Sequence, residues 1–264
     1  MVKVQDLSEG GSVSMSLIRT FIRLNIRWSG ATDRLIAKRF SIDGNADFKS
    51  RFVPTYLTPG AIIYDIGGGK TPFLSLSEKQ ALSAYIVGID ISESELKAAP
   101  AELYDRTIAK DICAYRGAAD GDLAICCTVL EHVNDVDAAI ASIATCLKPG
   151  GTACVFVPSR NAIFARLNLL LPEAAKRAIL FAIQPETRNN QGFKSYYNNC
   201  VPSKFRKLAE KHGFKIVEEK YYYRSAYFDF FFPFYLLWRL WVSLFFTVRG
   251  KEAAETFSLA LVRL

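Results

Sequence analysis

The sequence predicts an α/β fold in which a mainly parallel sheet carries helices on both faces. From residue 61 onward, short apolar runs alternate with helical patterns, and the runs occupy residues 61–66, 85–90, 106–109, 122–127 and 152–157. Between the last two runs, residues 136–147 repeat apolar side chains at helical spacing, and Lys148-Pro149-Gly150 marks the end of that helix. Such alternation is typical of a doubly wound parallel sheet.

The C-terminal third departs from this alternation. We predict a helix over residues 203–212, ended by Gly213, and strands over 214–222 and 256–264. Between these strands lies an aromatic-rich stretch, 228–248. Ahead of the sheet, residues 17–28 have the pattern of an amphipathic helix with arginines along one face, namely Arg19, Arg23 and Arg27.

Composition and charge argue against several classes of protein. The 33 basic and 26 acidic residues give a formal net charge of +7 and are spread along the chain. We therefore expect no nucleic-acid partner, since an anionic membrane surface or a phosphorylated substrate fits this mild basicity at least as well. Six cysteines without a C-x-x-C pair, and two histidines, predict no metal site. The absence of a signal-peptide pattern predicts a cytoplasmic protein.

The strongest motif follows the first predicted strand, where Asp65 precedes Gly67, Gly68 and Gly69. Glycines let the backbone turn sharply and approach a ligand closely. The carboxylate suits the amino group of a bound amino acid, although an ordinary turn is an alternative. A dinucleotide fingerprint is less suitable, because it requires G-x-G-x-x-G and Pro72 occupies the third glycine position.

Further acids end the next two predicted strands. Asp90 can accept hydrogen bonds from both hydroxyls of a ribose, or it can cap a helix. Asp111 follows the third strand and is equally compatible with an ordinary loop. The fourth strand leads into Val-Leu-Glu-His at 129–132, and a Leu-Lys-Pro-Gly-Gly segment occupies 147–151.

Taken in order, these five motifs resemble class I S-adenosylmethionine-dependent methyltransferases. The closer resemblance is to the subgroup with a V-L-E-H signature, which includes ubiquinone-type methyltransferases. The resemblance covers about residues 60–160 and continues more loosely to the last strand. It implies a Rossmann-like, seven-stranded, mainly parallel sheet. The last strand would run antiparallel between the fifth and sixth, with an N-terminal helix and helical insertions added.

The resemblance also implies which residues hold the S-adenosylmethionine cofactor. The glycine loop would line the methionine part of the cofactor, and the acid after the second strand would hold the ribose. The Asp-Ile pair after the third strand and one further isoleucine would contact the adenine. The tip of the fourth strand would border the sulfonium. The implied cofactor-binding residues are Asp65, Gly67, Gly68, Gly69, Asp90, Ile91, Asp111, Ile112, Cys127 and Thr128.

Candidates for the acceptor side are fewer. His132 is the best candidate for a catalytic base, although a structural histidine that bonds a loop fits the same position. Glu131 is a similar candidate. Tyr196 and Tyr197 follow the fifth strand, and they either line the acceptor pocket or simply pack.

The domain organisation follows from these assignments. We expect an N-terminal helical segment or lid over residues 1–58 and a methyltransferase domain over 59–264. Residues 159–200 are too long for a simple connection. We predict that they form an acceptor cap, with helices over 162–171 and 173–183. A second insertion, 226–252, contains the aromatic stretch.

The aromatic stretch 228–248 approaches the length of a membrane span, and three interpretations remain open. A full crossing would remove the last strand from the sheet. A buried packing or dimer element is the second interpretation, and a homodimer is compatible with the sequence, which does not fix the oligomeric state. The third is an interfacial or re-entrant hairpin in contact with the inner face of the membrane, with Trp238 and Trp241 at headgroup depth and Arg239 extending to the surface.

The expected function is methyl transfer from S-adenosylmethionine to a small-molecule or lipid-linked acceptor, with O-methylation favoured, by one in-line displacement. Two alternatives share the fold. One is a non-catalytic nucleoside-binding or membrane-associated scaffolding protein, and the other is an NAD(P)-dependent oxidoreductase.

Overall fold

One mixed sheet organises the chain, and its elements are known from a computed structural model that describes residues 9–172, 174, 176 and 193–264. The strands in this part of the chain are β1 (Ile62–Ile66), β2 (Tyr85–Asp90), β3 (Arg106–Ala109), β4 (Gly121–Cys127), β5 (Leu147–Pro158), β6 (Phe214–Tyr222) and β7 (Thr256–Arg263). The helices are α1 (Glu9–Asp33), α2 (Gly44–Asp47), α3 (Leu76–Leu82), α4 (Glu93–Lys97), α5 (Val136–Cys146), α6 (Ile163–Leu170), α7 (Pro202–Lys211) and α8 (Phe232–Arg249).

The strand order confirms the predicted topology. The order is β3-β2-β1-β4-β5-β7-β6. The first five strands are parallel, whereas β7 pairs antiparallel with both β5 and β6. The Rossmann-like, seven-stranded sheet with its antiparallel last strand between the fifth and sixth is therefore confirmed. Parallel strands need cover on both faces, which explains the continuous apolar runs of β1, β2 and β4.

Each face of the sheet is covered by a different part of the chain. On one face, α5 and α7 contribute Ile140 and Phe205 to the main core. On the other, Phe48 and Phe52 from the segment after α2 are fully buried, and the Phe48 ring lies 5.4 Å from that of Phe156 in β5. The later half of residues 1–58 thus packs directly on the sheet.

The helix after the glycine loop starts late, beyond Pro72. Helix α3 begins only at Leu76, where Ser75 accepts a hydrogen bond from the Glu78 amide and Glu78 bonds back to Ser75 in a capping box. The chain from Gly67 to Ser75 is therefore loop rather than helix, and it borders the carboxyl edge of the sheet.

Helix α8 contains most of the aromatic stretch, and buried polar groups join it to α1. Asp33 at the end of α1 accepts hydrogen bonds from Tyr235 and Arg239 of α8, and Arg224 donates to it over 2.8 Å. The membrane interpretation that placed Trp238 at headgroup depth and Arg239 at the surface was wrong for these two side chains. Trp238 is 2% exposed and Arg239 is 6% exposed, because Arg239 pairs with Asp33 and donates to the Tyr223 carbonyl.

The membrane interpretations can be compared with the helix lengths and hydropathies. Among the described residues, no helix combines the length and the apolar character that a bilayer crossing requires.

The helix predicted over 162–171 corresponds to α6. The helix predicted over 173–183 lies almost entirely outside the described residues.

Candidate functional site

A cavity of about 270 Å³ opens at the carboxyl edge of the sheet, where β1 to β4 end. It lies at the point where the strand order reverses between β1 and β4, which is where ligands bind in open α/β sheets. The lining residues are Ile66, Gly67, Ile89, Asp90, Ile91, Lys110, Asp111, Ile112, Thr128, Val129, His132, Val133, Asn134, Phe193 and Tyr196. Five segments that are distant in the sequence therefore share one site.

The glycine loop approaches the cavity closely only because Gly67 has no side chain. Its φ is +73°, and a Cβ atom would lie 2.3 Å from the side chain of Val129. Its N–H donates to the Ile89 carbonyl over 2.7 Å, which ties the loop to β2. Gly69 also has a positive φ, +49°, but it does not line the cavity.

Asp65 faces the loop rather than the cavity. Its Oδ2 accepts from the Phe73 amide over 2.8 Å and from the Tyr104 hydroxyl over 3.1 Å. Burial raises the pKa of Asp65 to about 6, against the lowering effect of these hydrogen bonds. The Asp65 carboxylate and the Tyr104 hydroxyl fill the space where a Gly68 side chain would lie. The structure therefore places Asp65 and Gly68 beneath the site, where they hold the loop in shape.

Asp90 lies in the cavity wall, where backbone amides hold its carboxylate. Its Oδ1 accepts from the Ser92 amide over 2.8 Å, and the Ile91 amide also donates to this carboxylate. Burial raises the pKa of this carboxyl. A buried acid with spare acceptor capacity suits the hydroxyls of a bound ribose.

An apolar wall stands beside Asp90. Ile91 is 62% exposed although it is a large apolar side chain, and Ile112 is buried behind the cavity surface. Asp111 precedes Ile112 and accepts from the Cys113 amide over 2.9 Å. Two isoleucines and an acid together provide an apolar surface and a polar edge, which suits a purine base.

The tip of β4 brings Thr128 into the cavity in an unusual backbone conformation. Its φ is +55°, which is rare for a β-branched residue and concentrates at functional positions. Its N–H donates to the Phe156 carbonyl of β5, and its hydroxyl donates to the Cys127 carbonyl. Cys127 itself is half-buried and does not line the cavity.

His132 lines the cavity as a neutral imidazole. Its Nδ1 lies 3.1 Å from the Lys194 carbonyl oxygen, which can only accept, and 3.3 Å from the Ser195 hydroxyl, which can donate or accept. The carbonyl favours the tautomer that is protonated on Nδ1. Burial lowers the pKa of His132. In that tautomer Nε2 keeps a lone pair, and Glu131 Oε1 lies 3.7 Å from Nε2.

Glu131, the other candidate base, is buried beside His132 and does not line the cavity. It is 3% exposed, and burial raises its pKa to about 8. Its carbonyl accepts from the amides of Tyr196 and Tyr197 over 2.7 and 3.0 Å. These bonds bring Tyr196 to the cavity, while Tyr197 is buried in the main core and does not line it.

Several lining residues had no recognisable signal in the sequence. Lys110, Val133, Asn134 and Phe193 lie in loops without periodicity, and only their proximity to motif residues along the chain pointed to them. Lys49 precedes β1 and does not line the cavity. Its charge lowers the pKa of Asp65 and of Cys127.

The donor set fits an adenosyl sulfonium ligand. Asp90 and Asp111 supply acceptors for hydroxyl and amino groups, and the two isoleucines supply an apolar wall. The cavity is near the lower end of the size range for small-molecule sites, about 300–1,000 Å³.

Comparisons with known proteins agree with this geometry. Among solved structures, the [4+2]-cyclase SpnF is 17% identical and has a TM-score of 0.52, with 85% of this chain and 86% of that chain covered. Phosphoethanolamine N-methyltransferase 2 from Haemonchus contortus, solved with S-adenosyl-L-methionine, is 14% identical and has a TM-score of 0.51, with 90% of this chain and 57% of that chain covered. These low identities show the fold alone.

Curated proteins give no match to the chain. A family model described as a methyltransferase domain matches residues 37–219, well over half of the 264 residues. This chain therefore belongs to the S-adenosylmethionine-dependent methyltransferases, and S-adenosylmethionine is its cofactor.

Proposed function

We propose that this enzyme methylates an oxygen atom of a small-molecule or lipid-linked acceptor, and that His132 removes the acceptor's proton. Bound S-adenosylmethionine supplies an electrophilic methyl group on a positive sulfur. The acceptor oxygen forms a bond to the methyl carbon as the carbon–sulfur bond breaks, and the hydroxyl proton passes to Nε2 of His132. The protein's work is to orient the two molecules and to exclude water.

The protonation state of His132 is the observation that carries this proposal. A base must be unprotonated and must have a free lone pair directed at its site. His132 lines the cavity, burial lowers its pKa and so favours the unprotonated base, and the Lys194 carbonyl favours the tautomer that leaves a lone pair on Nε2. Glu131 is the weaker candidate, since a carboxyl with a pKa of about 8 is mostly protonated at neutral pH.

Two chain segments support the proposed lid and cap. Phe193 and Tyr196 from the 159–200 insertion line the cavity, which supports its assignment as an acceptor cap. Lys49 from residues 1–58 lowers the pKa of Asp65 and of Cys127, which adjoin the lining residues Ile66 and Thr128, and this supports a position of the N-terminal segment near the site. Phe193 is an exposed aromatic side chain at the cavity, and it favours an apolar acceptor.

Two finer assignments belong to the same proposal. The V-L-E-H segment at 129–132 contributes His132 to the cavity and hydrogen-bonds the cap through Glu131, which supports placement with the V-L-E-H subgroup. The exposed apolar side chains of 228–248 favour an acceptor anchored in lipid. The similarity to a [4+2]-cyclase indicates that proteins with this fold also catalyse other reactions.

The two histidines of the chain provide a matched test. His212 bonds Asp137 over 2.7 Å and does not line the cavity. With labelled S-adenosylmethionine and acceptors from a cell extract, we expect His132→Asn to lower kcat by about 10²–10⁴-fold, whereas His212→Asn stays close to wild type. Affinity for S-adenosylhomocysteine, measured by calorimetry, should be unchanged in both variants.

Two outcomes would contradict the proposal. If His132→Asn retained the wild-type rate and pH profile, the base would be another group or the acceptor would need none. If the wild-type protein bound S-adenosylhomocysteine but methylated nothing in extracts that contain both soluble and lipid fractions, a non-catalytic nucleoside-binding role would be the better explanation.

A further inference from the structure

The contact of α1 with α8 and the turn before it contains buried polar side chains. Asn25, Ser29 and Asp33 repeat every four residues along α1, and all three are buried. Asn25 accepts from the Phe232 amide over 2.8 Å, and Ser29 donates to the Asp229 carbonyl over 3.3 Å. Asp33 receives the Arg239 guanidinium. The buried side of α1 is therefore polar, although the Trp28 ring also packs 6.0 Å from that of Phe232.

The exposed sides of the same helices are apolar. On α1, Phe21, Leu24 and Trp28 share one face at spacings of three and four residues, and all are exposed. On α8 the exposed apolar residues include Leu236, and six others lie together along one side of the helix, namely Phe234, Leu237, Leu240, Trp241, Leu244 and Val248. We call these nine side chains the apolar face. Helices on a protein surface in water have the opposite polarity, with apolar residues inward and polar residues outward.

Charges around the apolar face have one sign. Residues 10–42 contain one acid, the buried Asp33, and residues 230–251 contain none. The cations there include Arg27 on α1, Arg39 after it and Arg249 at the end of α8, and all three are exposed. Arg39 lies 5.3 Å from the ring of Phe246, so its charge sits directly on the aromatic side chains of α8.

This charge distribution distinguishes between two partners. A two-fold dimer places the same patch of each subunit against its copy, so a patch edged only by cations would oppose cations. An anionic bilayer offers phosphate groups to the arginines and an acyl boundary to the apolar side chains.

We propose that the apolar face docks on an anionic phospholipid bilayer, with α1 and α8 lying in the plane of the membrane. Trp28 and Trp241 enter the interface, and Trp238 and Arg239 stay on the protein side. This inference goes beyond the proposed methyl transfer and does not depend on the acceptor, since it concerns a surface of different residues from those that line the cavity.

Vesicle binding of the full chain tests the proposal. The probes are phosphatidylcholine vesicles with and without phosphatidylglycerol, and the readouts are flotation and tryptophan fluorescence. We expect binding to the anionic vesicles, weaker binding at high salt, and a blue shift from Trp28 and Trp241. The double variant Leu237→Glu/Leu244→Glu should bind at least about tenfold more weakly, because both side chains enter the apolar layer.

A matched control separates polarity from charge. Ser243→Glu/Thr247→Glu adds the same two charges to exposed positions of α8 beside the apolar face, and it should retain most of the binding. Unchanged affinity for S-adenosylhomocysteine establishes that each variant is folded. In the wild-type protein, quenching by brominated lipid provides a readout without any substitution.

Three results would overturn the proposal. The first is a wild-type protein that binds neither type of vesicle. The second is a dimer in sedimentation that Leu237→Glu/Leu244→Glu converts to monomers, without vesicle binding, because a second copy would then cover the face. The third is an equal loss of binding in both double variants, which would make charge alone responsible. Methyl transfer to a soluble acceptor would be unaffected by any of these.

Discussion

The buried Glu131 carboxyl is expected to make the fold less stable as the pH rises. Glu131 is almost fully buried, and its Oε2 lacks a hydrogen-bond partner among the described residues. Burial raises its pKa from the ordinary 4.5 to about 8. Between these values the folded protein keeps a proton that the unfolded chain has released. The free energy of unfolding therefore falls by about 1.4 kcal/mol per pH unit, and by about 4–5 kcal/mol over the whole interval.

Glu131→Gln removes this dependence, because an amide cannot ionise and resembles the protonated carboxyl in shape. We expect wild type and variant to have similar unfolding free energies near pH 5. At pH 8 the variant should be more stable by a few kcal/mol. Urea unfolding followed by circular dichroism measures both. Glu210→Gln is the control, since Glu210 is exposed on α7 with only a 3.8 Å ion pair to Arg206.

Other buried acids make the comparison between variants necessary. Burial also raises the pKa of Glu255 to about 7 and of Asp65 to about 6, so the wild-type slope has several contributors. The difference between wild type and Glu131→Gln isolates one of them. Parallel curves of unfolding free energy against pH for the two proteins, between pH 5 and pH 8, would refute the reasoning. The pKa of Glu131 would then be the same in the folded protein and in the unfolded chain.

Two further predictions concern other buried acids. Asp90→Ala should weaken S-adenosylhomocysteine binding by about tenfold or more in calorimetry, because charge-assisted hydrogen bonds are lost, and unchanged affinity would place the ribose elsewhere. Asp33→Ala should lower the free energy of unfolding by about 3–5 kcal/mol, since it leaves the buried Arg239 unpaired. Asp43→Asn, which removes the charge of an exposed partner 3.4 Å from Arg224 but keeps an oxygen that can accept from the Ala46 amide at the start of α2, should cost less than about 1 kcal/mol. Equal losses in these two variants would contradict the role given to Asp33.

The pH dependence of the Asp33 contribution has the opposite sign to that of Glu131. Burial raises the pKa of Asp33, but hydrogen bonds from Tyr235, Arg224 and Arg239 outweigh it, and the pKa lies below the ordinary 3.8. This stabilisation is therefore complete above the unfolded pKa and is lost as acidification passes through the folded one. Comparing Asp33→Ala with wild type in acid unfolding measures it.

Most of the sheet could be predicted because its strands are apolar runs bounded by turn residues. The bounds of β2, β3 and β6 agree with the prediction to the residue. β5 begins at Leu147 rather than at Thr152, because Leu147 already pairs with Gly121. This pairing depends on a distant strand and leaves no mark in the local sequence.

The segment after α2 was missed for a different reason. Phe48 and Phe52 are fully buried, but they lie in a π-helical turn that passes into a 3₁₀ turn. The spacing of their side chains therefore changes within a few residues. No single period describes it, and a periodicity argument cannot detect a core element of this kind.

The candidate site was predictable where strand ends determine it. Asp90, Asp111 and Thr128 reach the cavity because the carboxyl ends of parallel strands meet at one edge. Asp65 is also near the carboxyl end of its strand, but it lies opposite Gly88 rather than Asp90, and it faces away from the cavity. Its partners are the Phe73 amide and the Tyr104 hydroxyl, the latter 39 positions along the chain, and only the folded structure brings them to it.

The orientation of α8 shows how one distant contact determines a whole surface. The helix is apolar on nearly every side, so its own periodicity does not say which side is buried. Arg239 decides this, because its partner Asp33 lies 206 positions earlier in the chain and draws that side of α8 inward. Leu237 and Leu244 then remain outside. Asp33→Ala should consequently weaken vesicle binding as well as stability, although Asp33 itself is buried and touches no lipid, because loss of the α1 contact would divide the apolar face in two.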